Sequence, residues 1–119
     1  MVKLVCFLKR REGLSREEFF DHWLNRHGPL IASTEPFASL VKRYEQHPRV
    51  PEPAWMGTAG YDGVTIQWFD STADVEAFVG APEYASVLAP DEASFLDTDA
   101  LVWMITEEPT TPIDGPTEP

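Results

Sequence analysis

SREEFFDHWLNRHGPL, residues 15–30, is the stretch whose reading decides the fold. Ser15 followed three residues later by Glu18 is a capping box, and Leu14 is placed to staple onto Phe19, so a helix start is fixed there. Gly28 and Pro29 predict its end, because glycine suits the position after a helix and proline cannot continue one. His27 is then the last helical position, close to the partial negative charge of the C-terminus, where the imidazolium is favoured and the pKa is expected to rise. A histidine so placed either exchanges protons at one defined site or caps free carbonyls. Phe19, Trp23 and His27 are spaced four apart and form one stripe directed at a sheet, whereas His22 falls off that stripe beside Glu18 and Arg26 and is expected at the surface.

Outward from this helix, residues 2–9 (VKLVCFLK) read as a strand, and Gly13 makes the turn between the two. Residues 38–46 read as a second strand closed by His47 and Pro48. Residues 49–61 hold two prolines and two glycines without a period, and form a loop whose Trp55 and Met56 are expected to cover something. A third strand follows at 62–70, and Ser71 caps a second helix, 71–80, with Val75, Phe78 and Val79 on one face. Pro82 opens a helical or irregular stretch, and the last strand runs over 99–107. The order β-α-β-β-α-β predicts an α+β, ferredoxin-like domain over residues 1–108, with a four-stranded antiparallel sheet and both helices on one face. Residues 109–119 form an acidic, proline-rich tail, expected to be disordered or packed on a partner subunit.

The first and last strands are apolar on both faces, although a half-solvated antiparallel sheet shows polar residues on its free face. The simplest cover is the sheet of a second copy, giving a homodimer in the form of a dimeric α/β barrel; the alternative is a sheet with scattered exposed apolar residues.

With 119 residues, 43% of them hydrophobic, the chain has room for one domain. No apolar run approaches the roughly 20 residues that span a bilayer, no signal-peptide pattern opens the sequence, and a cytoplasmic location is expected. Cys6, the single cysteine, excludes an internal disulfide and sits in a strand as a small hydrophobe. All nine Lys and Arg lie at or before Arg49 against six acids, a net of +3, while the remainder carries 14 acids and no base, a net of −14. Such a chain repels nucleic acid and anionic membranes, and the Lys9, Arg10, Arg11 cluster is too short to reverse that.

The phrase EEFFDHWLNRHGPL, then RYEQH, then YDGVTIQWFDSTADVEAFVGAPEY, a D-E-x-x-F-L-D element and a closing V-x-x-x-x-E-E together resemble the EthD family of small dimeric α/β-barrel proteins, over Val2 to Glu108. The resemblance implies a homodimer with a pocket between sheet and helices. It leaves the activity open among polyketide cyclases, dehydratases and decarboxylases of aromatic metabolites, cofactor-free monooxygenases, and proteins of degradation operons, since a scaffold is shared more widely than a reaction.

His27 matches the histidine of the family phrase and is the candidate proton carrier. Tyr44 and Gln46 share one face of the second strand, and His47, at the start of the loop, is placed to turn back over the pocket mouth. A phenol and an imidazole beside one apolar cavity are the parts needed to remove an acidic proton and to stabilise the oxyanion that develops. Asp62 orients a histidine or caps a turn. Trp23, Trp68 and Trp103 line a slot for a flat aromatic ligand or pack on one another. No metal or other cofactor is called for: the three histidines lack ligand spacing, and Gly57 and Gly60 make no phosphate loop. A haem site built from His27, Trp23 and Asn25 is disfavoured because Asn25 points away from His27 on a helix. The expectation is a cofactor-independent acid–base enzyme acting on a hydrophobic carbonyl or phenolic metabolite, with a noncatalytic small-molecule-binding dimer serving a neighbouring oxygenase as the competing class.

Overall fold

The computed structural model describes residues 1–116. Four strands, β1 (Val2–Leu8), β2 (Arg43–Pro48), β3 (Gly63–Phe69) and β4 (Val102–Thr106), form one antiparallel sheet in the order β2-β3-β1-β4. The helical connections lie on one face of it, which is the ferredoxin-like α+β architecture the element order predicts. Leu4, Cys6 and Leu8 of β1 and Phe69 of β3 meet Phe19, Trp23, Phe78, Leu88 and Phe95 in the core. The described part of the tail, 109–116, is exposed and carries no helix or strand; 117–119 lie outside the described residues.

The helix at 15–30 starts as its capping box dictates but does not stop at Gly28. α1 (Arg16–His22) passes into a π-helical turn at Trp23–His27 and continues as α2 (Gly28–Ala32). In the π-turn the Gly28 N–H donates to the Trp23 carbonyl, five residues back, so one extra residue is fitted into the turn. Pro29 is tolerated because it occupies the first turn of the new α segment, where its missing N–H would have had no partner. The widened turn exposes the Trp23 carbonyl to a second donor, the Gln46 amide at 2.8 Å. Gly28 permits this approach, since a Cβ there would lie 2.7 Å from Gln46 Oε1. The same device recurs in the second half: after α4 (Thr72–Gly80), a π-turn at Tyr84–Leu88 leads into α5 (Ala89–Phe95), with Pro90 in its first turn.

Strand boundaries differ from the sequence expectation. Phe37–Leu40 forms a short helix, α3, and β2 begins only at Arg43, while β2 runs through His47 to Pro48. The last strand, expected from residue 99, begins only at Val102, after a 3₁₀ turn at Thr98–Ala100. The loop at 49–61 does not cover the core: Trp55 is 79% exposed.

Both faces of the sheet carry apolar residues. β3 turns Thr65 and Gln67 toward the helices and Val64, Ile66 and Trp68 outward. Beside them on the outer face lie Val5 and Phe7 of β1, with Val102 (44% exposed) and Met104 (56%) of β4. This is the doubly apolar sheet anticipated from the strand patterns.

Trp23 is fully buried with its ring against Gly63, where a Cβ would come within 2.5 Å of Cη2. Gly63→Ala is therefore expected to lower stability by about 1–3 kcal/mol through overpacking, seen as a lower urea midpoint at unchanged slope.

Candidate functional site: a chamber between sheet and helices

A cavity of about 30 Å³ lies between the inner face of the sheet and the helical layer. Its apolar wall includes Leu8, Ile31, Phe78, Leu88 and Leu96, with Leu101 and Trp103 toward the β4 edge. Its polar groups are His27, Tyr44, Thr65, Gln67, Tyr84, Glu92 and the Cys6 thiol.

The π-turn sets the histidine geometry. On a regular α-helix, residues five apart point about 140° away from each other, so His22 and His27 would diverge. With the extra residue between them both turn to α5, where one carboxylate receives them: His22 Nε2 lies 2.9 Å from Asp91 Oδ1 and His27 Nδ1 lies 2.6 Å from Asp91 Oδ2. Phe95, one turn on, stacks on the His22 ring at 4.5 Å and contacts the His27 ring at 5.0 Å. An ionised carboxylate only accepts hydrogen bonds, so the hydrogen sits on Nδ1 of His27 and Nε2 keeps its lone pair. Among the described residues Nε2 has no hydrogen-bond partner, and the ring lines the chamber.

His27 is not at a helix C-terminus, and its pKa is lowered, not raised. Burial of the ring is the main cause; the hydrogen bond and charge of Asp91 act in the opposite direction without overcoming it. The other chamber groups are also shifted toward neutrality, each chiefly by burial. The Cys6 thiol is pushed up to about 11, the Tyr44 and Tyr84 phenols are raised above their ordinary range, and the Glu92 carboxyl is raised with Asp91 nearby. The Tyr84 hydroxyl donates to Glu92 Oε2 at 3.2 Å.

Of the residues singled out in the sequence, His27, Tyr44 and Trp103 are brought together at the chamber. The others lie elsewhere. Gln46 braces the π-turn, and Trp23 fills the core beside Gly63. Asp62 is buried where the end of β1 meets the following loop; it accepts from the Arg10 backbone N–H at 2.9 Å and pairs with the Arg10 and Arg49 guanidinium groups, and it orients no histidine. Trp68 is on the outer face between the cations of Lys3 and Arg43, 5.6 and 5.5 Å from its ring centre. His47, still within β2, shares that face, bonds to Glu45 at 2.8 Å and borders a separate outer cavity with Phe7, Tyr61 and Val64. Strand parity forces this, because Tyr44 and Gln46 facing inward require Glu45 and His47 to face outward. His22, expected at the surface, is half-buried on Asp91.

Sequence reasoning missed Asp91, Glu92, Tyr84, Thr65 and Gln67. Asp91 and Glu92 open the D-E-x-x-F-L-D element, which marked the resemblance but was given no role. The signal for Thr65 and Gln67 was the polar alternation within an otherwise apolar strand.

Because His27 is held neutral in the fold, an unfolded chain binds a proton below pH 6.5 that the folded chain refuses. Its contribution therefore lowers stability as pH falls from 6.5 toward the depressed folded pKa. Glu92, whose pKa is raised in the fold, acts with the opposite sign, since stability is lost as pH rises above its ordinary value of 4.5. Urea titrations from pH 7 to about 5 are expected to show that wild type loses more stability on acidification than His27→Gln, and equal slopes would contradict the neutral imidazole.

The EthD domain family model matches residues 11–99. An ethyl tert-butyl ether D (EthD) family protein from Bacillus halodurans C-125 is similar in structure, with TM-score 0.68 and 22% identity over 91% of this chain and 98% of that one. A dimeric protein of ferredoxin-like fold from Bacteroides fragilis matches with TM-score 0.65 and 17% identity over 90% and 95% of the two chains. A hydroxynitrile lyase from Passiflora edulis matches with TM-score 0.63 and 19% identity over 93% and 96%. No curated protein matches the chain. The family match spans well over half of the sequence and includes every helix of the chamber, and the chain belongs to the EthD domain family.

Proposed function

We propose that this protein is a cofactor-independent acid–base enzyme of the lyase, dehydratase or decarboxylase kind, acting on a small carbonyl or phenolic metabolite of catabolism. The observation that carries the proposal is the Asp91–His27 pair. The carboxylate fixes the imidazole by Nδ1 and leaves Nε2 as an unprotonated base on a ring that lines the chamber. Burial keeps that base neutral below the pH at which a free histidine would protonate. Nε2 takes a proton from a C–H next to the substrate carbonyl, becoming imidazolium, and the released electron pair moves onto the carbonyl oxygen; from an O–H the pair stays on that oxygen. The Tyr44 phenol, kept protonated by its raised pKa, supplies a hydrogen bond to that oxygen. The lyase among the structurally similar proteins supports the reaction class by analogy of scaffold only.

The working unit is proposed to be a homodimer that buries the outer faces of two sheets against each other. Val5, Phe7, Val102 and Met104 supply the apolar surface, and similar folds are described as dimeric. The exposed segment from residue 109 is proposed to pack on the second copy.

Two measurements test this. Exchange of the α-protons of small ketones into D₂O, followed by NMR, is expected to be accelerated by wild type and to fall roughly 10²- to 10⁴-fold in His27→Ala. Ligand-induced stabilisation without any exchange or turnover across ketones, cyanohydrins and phenols would instead establish a binding protein. Sedimentation is expected to give a dimer for wild type and a folded monomer for Val102→Glu/Met104→Lys; a wild-type monomer would refute the covered face.

A further inference from the structure

The chamber wall contains a group that no interaction in the fold explains. Gln67 is 95% buried by its 5% exposure, it lines the cavity, and its Oε1 has no hydrogen-bond partner. The amide makes no hydrogen bond among the described residues through either end, so exchanging O and N in its assignment changes nothing. A buried amide left unpaired costs stability that a same-sized apolar side chain would not, and such groups in a native interior call for a partner. In the same cavity Glu92 receives the Tyr84 hydroxyl on Oε2, while Oε1 has no partner among the described residues. Burial holds this carboxyl toward its protonated form, in which it can donate. The wall therefore presents an unused amide acceptor and an unused carboxyl donor.

The cavity, about 30 Å³, accommodates about two waters. A polycyclic ligand does not fit within it, whereas a few-atom fragment with two polar ends does.

We propose that the Gln67 amide and the Glu92 carboxyl form a two-point clamp that selects substrates carrying a hydroxyl next to a carbonyl, namely small α-hydroxy aldehydes or ketones. The hydroxyl donates to Gln67 Oε1, and the carbonyl oxygen accepts from Glu92, whose position Tyr84 fixes. Clamped in this way, the carbon between them is held within the same small chamber as His27 Nε2. Gln67 is thus a specificity residue, and the inference rests on the acid–base function proposed above for its chemistry but not for its binding.

Binding distinguishes the two. In the His27→Gln background, where no proton abstraction is expected, NMR titration with hydroxyacetone is expected to show at least about tenfold tighter binding than with acetone, because the analogue leaves the buried amide unpaired. Gln67→Met should abolish this preference and raise Tm by about 5 °C, since it removes an unsatisfied buried polar group. Glu92→Gln, which keeps a donor, should retain the preference, and Glu92→Leu should lose it. Equal affinity for the two ketones, absence of binding by either, or an undiminished preference in a folded Gln67→Met would each overturn the clamp. Loss of α-proton exchange in His27→Gln with the binding preference intact would uphold it, and a binding preference without wild-type exchange would uphold it while refuting the enzyme.

Discussion

One carboxylate organises the helical layer. Asp91 on α5 accepts from two histidines of the first helix, so the two halves of the helical layer, each built as a helix broken by a π-turn, are tied together by one side chain. Charge-assisted hydrogen bonds of this kind contribute about 1.5–3 kcal/mol each when they are shielded from water. The tie works only because the π-turn at Trp23–His27 rotates His27 to the side of His22, and that turn in turn depends on Gln46 reaching the Trp23 carbonyl over Gly28. Local backbone irregularity is therefore what aims the imidazole, and π-turns of this sort are often found at functional sites.

The chamber is electrically quiet. Burial drives Cys6, Tyr44, Tyr84 and Glu92 up and His27 down, each toward its neutral form. The charges nearest to it are placed so that they hold geometry: Asp91 is spent on the histidines behind the ring. A cavity of neutral donors and one neutral base suits chemistry in which a proton leaves carbon or oxygen and charge develops only transiently. The strongly acidic second half of the chain does not conflict with this, because its one fully buried carboxylate among the described residues, Asp62, is paired with Arg10 and Arg49 away from the chamber.

Much of the fold was legible in the sequence, and the reason is local. The strands, the Ser15 and Ser71 caps and the β-α-β-β-α-β order are set by patterns a few residues long. Gly28–Pro29 misled because the rule that ends helices there assumes α-helical spacing, and a π-turn followed by proline in a first helical turn satisfies both residues without stopping. His22 and Asp91 meet across 69 residues, a contact no spacing announces. The misplaced tryptophan has a different cause. Aromatic Trp68 was expected inside, whereas the sheet turns its polar alternates, Thr65 and Gln67, toward the helices and its apolar residues outward. Two polar residues on the buried side of an otherwise apolar strand depart from ordinary amphipathic patterning, and they mark the face that carries the site.

The most direct test of the account is the tautomer and titration of the His27 ring, read from its two ring nitrogens by ¹⁵N NMR. The expected result is a hydrogen on Nδ1, a bare Nε2 at neutral pH, and a midpoint below 6.5. A hydrogen on Nε2, or a ring that becomes imidazolium above pH 6.5, would contradict it.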